Sequence, residues 1–165
     1  MNVIFCHNKR ELVLTNTKKN RVFPARSEVR NALNGLRSLD NPKDVVYTTL
    51  TDRYAQKYPM MPRPFTRGTY YITGVEATQE KWLEPYIIKT SFSPMVEAWS
   101  LDENNCYDKP TGLFVKDEGY FIHYTPGDYT LGCIQVISRT DICIIYKEIG
   151  KELLEHGVLR LDVIA

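Results

Sequence analysis

Only one stretch of this chain has the pattern of a long amphipathic helix, and that pattern restricts the fold more than any other feature of the sequence. Ser138 followed by Asp141 has the form of a helix-capping box, and Gly157 marks a helix end. Between them runs an apolar stripe at spacings of three and four residues: Ile142, Ile145, Ile149 and Leu153. Residues 158–164 then alternate between apolar and polar. We therefore expect one well-defined helix near the C-terminus, followed by a strand.

Most of the remaining chain consists of short segments rich in β-branched and aromatic residues, each bounded by turn residues. The predicted strands cover residues 3–6, 11–14, 21–25, 69–75, 86–92, 95–101, 113–116, 119–124 and 134–136. Residues 27–62 differ, with helical spacing after Ser27 and a break at Asn41-Pro42, and they predict an irregular helical insertion. The expected fold class is therefore mostly β, as a β-sandwich or mixed sheets, with one C-terminal helix.

The composition is that of a soluble globular protein. At 165 residues, with 43% hydrophobic and 25% charged residues, the chain fits a single domain over residues 1–165. No apolar run approaches about 18 residues, so we expect no spanning helix and no membrane partner. The first ten residues lack the basic and apolar regions of a Sec signal peptide. We therefore expect synthesis in the cytoplasm without such a signal.

Charge and cysteine usage narrow the classes of function. The first 70 residues are basic and the rest are acidic. This asymmetry steers an anionic partner to one face, unless the two halves fold together and their charges intermix on the surface. Basic and aromatic residues do not interleave as in nucleic-acid modules, so no nucleic acid is expected. The four cysteines include no Cys-x-x-Cys pair and are too few for a disulfide scaffold. We expect no metal and no other cofactor. One of the four cysteines could carry a reactive thiol.

The segment from Tyr120 to Val136 combines a histidine with a cysteine. His123 ends a predicted strand, a short loop follows, and Cys133 lies between Gly132 and the next strand. Such a loop lets the flanking strands lie side by side, which would bring the imidazole close to the thiol. A nearby histidine lowers the pKa of a thiol and carries its proton, while backbone N–H groups stabilise an oxyanion. The alternative is a buried structural cysteine and an unrelated surface histidine.

Five residues of this segment follow one another in a recognisable order: His123, Thr130, Gly132, Cys133 and Ile134. The order resembles the signature of L,D-transpeptidases of the YkuD type, a histidine, a variable loop, a serine or threonine, and Gly-Cys before an aliphatic residue. The proline-rich lead into a Gly-x-Tyr strand at 62–72 and the helix after the cysteine are also similar to that family. The resemblance implies one L,D-transpeptidase-like catalytic domain over residues 1–165. It also implies an L,D-transpeptidase or L,D-carboxypeptidase acting on peptidoglycan stem peptides.

The resemblance implies a role for each residue of the signature. Cys133 would attack the carbonyl of diaminopimelate, the third residue of a tetrapeptide stem. His123 would take the thiol proton and return it to the leaving D-alanine. Backbone N–H groups near Gly132 and Cys133 would hold the oxyanion. Thr130, or a backbone carbonyl near it, would orient His123.

Two positions depart from the family pattern. Gln135 stands where most members carry arginine, and Leu131 stands where many carry histidine. Gln135, Tyr124 and Tyr129 are the residues we expect to bind the substrate. The compact loop and the replaced arginine resemble a variant branch found among type VI secretion effectors and phage-associated proteins. That branch implies a toxin delivered to the periplasm or cell wall, with an immunity or secretion-apparatus protein as partner.

Two other readings remain open at this point. A non-catalytic wall-binding or structural protein with a degenerate L,D-transpeptidase fold is favoured by Gln135, whereas the retained His123 and Cys133 favour the enzyme. A papain-like amidase such as the NlpC/P60 group ranks last, because its cysteine precedes its histidine and the order here is reversed.

Overall fold

The computed structural model describes residues 1–27, 63–101, 103, 107–127, 130 and 132–165. The irregular insertion predicted over 27–62 lies outside these residues, apart from Ser27. Ten strands and one helix occur in the described part of the chain. They are β1 (Asn2–Cys6), β2 (Glu11–Thr15), β3 (Asn20–Arg26), β4 (Gly68–Ala77), β5 (Tyr86–Thr90), β6 (Met95–Leu101), β7 (Tyr107–Lys116), β8 (Phe121–Tyr124), β9 (Ile134–Val136), α1 (Arg139–His156) and β10 (Leu159–Ile164).

Eight of the strands form one closed barrel in the order β1-β10-β4-β5-β8-β9-β3-β2. The pairs β1–β10 and β8–β9 are parallel, and the other pairs are antiparallel. β6 and β7 form a separate two-stranded sheet. The prediction of a mostly-β fold with one C-terminal helix is confirmed. The mixed sheet closes into a barrel instead of a sandwich, because β1 pairs with both β2 and β10.

The hydrophobic core lies on the inner face of this barrel. Along β10, Leu159, Leu161 and Val163 are buried while the residues between them are more exposed, as the alternating pattern predicts. Helix α1 packs against β4, β5, β8, β9 and β10. Its apolar stripe joins the same core through three fully buried side chains, Ile142, Ile145 and Ile149. Each such side chain stabilises the fold by about 1.5–3 kcal/mol through burial.

The predicted ends of the helix are confirmed. Ser138 Oγ accepts the N–H of Asp141 at 3.4 Å, and the N–H of Gly157 donates to Leu153 O at 2.8 Å. Gly157 has a φ of 84°, which favours glycine at this position. Within the described ranges, no helix has both the length and the apolar character needed to cross a membrane.

Three neighbouring strands position the candidate site. β8 runs parallel to β9, with Ile122 opposite Ile134 and His123 opposite Gln135. β9 also pairs with β3, where Gln135 lies opposite Arg26. Because Ile122 and Ile134 are fully buried in the core, the next residue along each strand faces away from it. His123, Gln135 and Arg26 therefore form a row across the outer face of the barrel.

Candidate functional site

His123 and Cys133 lie on neighbouring strands of the outer face. Cys133 immediately precedes β9, and the pairing of Ile134 with Ile122 sets Cys133 beside Phe121. His123 is two residues beyond Phe121, which is roughly 7 Å along the strand. β8 and β9 therefore lie side by side, with both candidate groups on one face.

The Cys133 sulfur lies against the backbone that connects β7 to β8. The N–H of Phe121 donates to Sγ at 3.3 Å, and Sγ is 3.6 Å from Gly119 O. The sulfur thus accepts one backbone hydrogen bond and donates its S–H to a backbone carbonyl. The side chain is half-buried and has polar neighbours. This environment differs from that of an inert cysteine enclosed in hydrocarbon.

Close contacts shape the turn that carries Cys133. Gly132 is buried with a φ of +112°, and a Cβ built on it would fall almost on the carbonyl oxygen of Arg63. Thr130 Oγ1 donates to Cys133 O at 2.8 Å. Ser27 Oγ donates to Gly132 O at 3.0 Å. Gly132 and Thr130 therefore determine the shape of the turn, and only glycine fits at the first of them.

The His123 ring is oriented by backbone carbonyls. Its side chain is 5% exposed, Nδ1 lies 2.9 Å from Tyr124 O, and the carbonyl of Trp82 also lies beside the ring. Burial lowers the pKa of His123 below its ordinary value, and the two carbonyls oppose that shift. The ring is therefore neutral at pH 7. The Thr130 hydroxyl bonds to Cys133 O, whereas the carbonyls recorded beside the His123 ring are those of Tyr124 and Trp82.

Gln135 is 1% exposed and engaged on both sides of its amide. Nε2 donates to Thr125 O at 2.9 Å and to Gly127 O at 2.6 Å. Oε1 accepts the Nε–H of Arg26 at 2.9 Å. Gln135 thus connects the residues after β8 to β9, and its described hydrogen bonds are all to other residues of the protein. Arg26, which sequence reasoning missed, is more exposed than Gln135.

The two tyrosines expected to line a groove occupy different parts of the chain. Tyr124 is half-buried and packs against the hydrophobic core, so its ring lies on the opposite side of β8 from His123. Its carbonyl, not its ring, contributes to the candidate site. Tyr129 lies outside the described residues.

A buried tyrosine lies beside the turn that carries the thiol, and a buried aspartate interacts with that tyrosine. Tyr120 is buried, and its ring approaches Gly132 closely. Burial raises the pKa of Tyr120, and the charges of Asp117 and Cys133 act in the same direction. Asp117 is itself buried. Sequence reasoning did not single out Asp117, because an Asp-Glu-Gly sequence also indicates an ordinary hairpin turn.

The described residues include one group of side chains close enough to share a metal ion, and it lies at the end of α1. Ligand atoms of Glu152, Glu155 and His156 lie within 4.8 Å of one another. His156 Nε2 is 3.5 Å from Glu152, which is also 3.6 Å from the N-terminal ammonium. Ion pairs of His156 with the two glutamates, and of Glu152 with the N-terminal ammonium, explain why these side chains lie together.

Comparison with known proteins adds no assignment. No protein-family model, curated protein or solved structure matches the chain. The functional argument therefore depends on the residues around His123 and Cys133.

Proposed function

We propose that the protein is a cysteine-dependent L,D-transpeptidase or L,D-carboxypeptidase acting on tetrapeptide stems of peptidoglycan. The observation that carries this proposal is the half-buried Cys133 thiol beside β8, on the face that also bears His123. A Gly-Cys turn, a short strand and a capped helix follow one another here, in the order that the resemblance implies.

In the proposed reaction, the Cys133 thiolate attacks the carbonyl carbon of diaminopimelate, and His123 takes the thiol proton. Backbone N–H groups of the turn at Gly132 and Cys133 stabilise the oxyanion. The intermediate collapses and expels the amine of D-alanine, which leaves with the proton from His123. The resulting thioester passes its acyl group to an amine or to water. The lowered pKa of His123 suits this role, because it leaves the ring unprotonated and able to accept a proton.

The substrate determines where such an enzyme would act. Peptidoglycan lies in the periplasm and cell wall, so the protein would reach it by specialised secretion or phage delivery. In that setting it acts as an antibacterial effector, with an immunity or secretion-apparatus protein as partner.

Release of D-alanine from tetrapeptide stems tests the proposal. We expect Cys133→Ala to abolish release because no acyl-enzyme forms, and His123→Ala to lower the rate by about 10²–10⁴-fold. Cys143→Ala is the matched control, since this half-buried cysteine lies on α1. Muropeptides are analysed by mass spectrometry with and without added D-amino acid. Unchanged muropeptides after incubation with reduced wild-type protein would contradict the activity.

A non-catalytic cell-wall-binding or structural protein is the second candidate. The near-complete burial of His123, with Nδ1 on Tyr124 O, and the internal bonds of Gln135 favour it. Alkylation by iodoacetamide separates the two, because an activated thiol reacts faster than an ordinary one. A Cys133 rate no higher than that of Cys143 would favour the non-catalytic protein.

A further inference from the structure

Arg26 carries a charge that no carboxylate pairs with in the described part of the chain. Its guanidinium is half-buried, and Nε donates to Gln135 Oε1 at 2.9 Å while Nη2 donates to Gly127 O at 3.3 Å. Both acceptors are neutral. A guanidinium has five N–H donors, and these two hydrogen bonds use one donor each, so three donors are not engaged by the residues that the structure describes.

Arg26 lies on the face of the barrel that also carries the candidate thiol. It is opposite Gln135 in the pairing of β3 with β9, and Gln135 follows Cys133 by two residues, roughly 7 Å along the strand. On its other side Gln135 is opposite His123. The guanidinium therefore belongs to β3, which neighbours β9, and it lies on the same face as Cys133.

Gln135 determines the direction of this guanidinium. Its Nε2 donates to the carbonyls of Thr125 and Gly127, so its Oε1 is left pointing at Arg26. A neutral acceptor lets the guanidinium approach closely. An arginine at position 135 would instead put two cations side by side, which Coulomb repulsion disfavours.

We propose that Arg26 binds the terminal carboxylate of the stem peptide and that Gln135 is its positioning residue. This inference rests on the proposed function, which supplies a substrate whose carboxylate lies one residue beyond the attacked carbonyl. One extended residue spans about 3.5 Å, so that carboxylate falls within reach of an arginine side chain on the next strand. The planar guanidinium binds a carboxylate through two parallel hydrogen bonds.

A tetrapeptide stem and the same peptide ending in a carboxamide test this site. With wild-type protein we expect a KM about ten- to a hundredfold lower for the carboxylate, the range for a charged hydrogen bond. Arg26→Gln should remove this preference by raising that KM while kcat changes little. Arg26→Lys should keep part of it, because it retains the charge without the planar fork. The control is Arg160→Gln, which removes an exposed arginine on β10 and should leave the preference intact.

Equal KM values for the two peptides with wild-type protein overturn the site, as does a preference that survives Arg26→Gln. Comparing the KM values of the two peptides with wild-type protein needs no substitution at Arg26. It therefore tests the carboxylate site even if a variant does not fold.

Binding to Cys133→Ala protein, measured by calorimetry, separates this inference from the proposed function. We expect tighter binding of the carboxylate peptide by the same factor, and loss of that difference when Arg26→Gln is added. If this pattern occurs while wild-type protein releases no D-alanine, the proposed function fails and the carboxylate site stands. If D-alanine is released without preference between the peptides, the site fails and the function stands. Failure of both peptides to bind also overturns the site.

Discussion

Gly132 is the residue at which one added carbon has the most direct steric consequence. A methyl group there would meet the carbonyl oxygen of Arg63 and come within 2.5 Å of the Tyr120 ring, at a φ of +112°. We expect Gly132→Ala to lower the free energy of unfolding by about 2–5 kcal/mol, through backbone strain and displaced neighbours. Gly112→Ala is the control, since Gly112 has a φ of +74° with open space around it and should cost about 1–2 kcal/mol. Equal losses in urea denaturation would contradict the steric explanation.

The burial of His123 makes stability depend on pH with a defined sign. The pKa of His123 in the folded protein lies below its ordinary value of about 6.5, so the unfolded chain binds the proton more readily. Its contribution to stability is complete above about pH 6.5 and is lost as the pH falls toward the folded-state pKa. We expect the free energy of unfolding to fall more between about pH 7.5 and pH 5 for wild-type protein than for His123→Gln. His7 and His156 remain in both proteins, so parallel pH profiles would show that His123 is not the cause.

At the scale of elements, Ser27 joins the end of β3 to the turn before β9 and to the segment before β4. Its Oγ donates to Gly132 O and accepts the N–H of Phe65, both at 3.0 Å, in a buried position. Ser27→Ala leaves both groups without this partner, so we expect a loss of about 2–3 kcal/mol in the free energy of unfolding. Ser100 is the matched control, because its hydroxyl bridges the carbonyl and N–H of Lys109 on an exposed hairpin where water replaces it. Thermal denaturation that shows no greater loss for Ser27→Ala than for Ser100→Ala would contradict this prediction.

Elements defined by local patterns could be predicted from the sequence, and contacts between distant elements could not. Helix α1 was predictable because its cap, its apolar stripe and its terminal glycine lie in one continuous segment. The hydrogen bond between Arg26 and Gln135 joins residues 109 positions apart, and it follows from the pairing of β3 with β9. No local pattern specifies that pairing, so Arg26 could not be placed beside Gln135 in advance.

At the scale of the whole molecule, the same limit applies to the architecture. Apolar alternation puts one face of a strand inside in both a sandwich and a barrel, so the pattern does not separate them. The deciding contact is the parallel pairing of β1 with β10, from opposite ends of the described chain. The candidate site divides in the same way. His123 and Cys133 lie close in sequence, so a prediction could set them in adjacent segments, whereas the buried Asp117 belongs to the preceding connection.

The place of β10 between β1 and β4 has a consequence for biosynthesis. Ribosomes add about 5–20 residues per second, so β1 and β4 are made seconds before residues 159–164 exist to pair with them. Until then each presents an open strand edge, and such edges associate with other nascent chains. These two edges therefore stay open to such association until residues 159–164 have been translated.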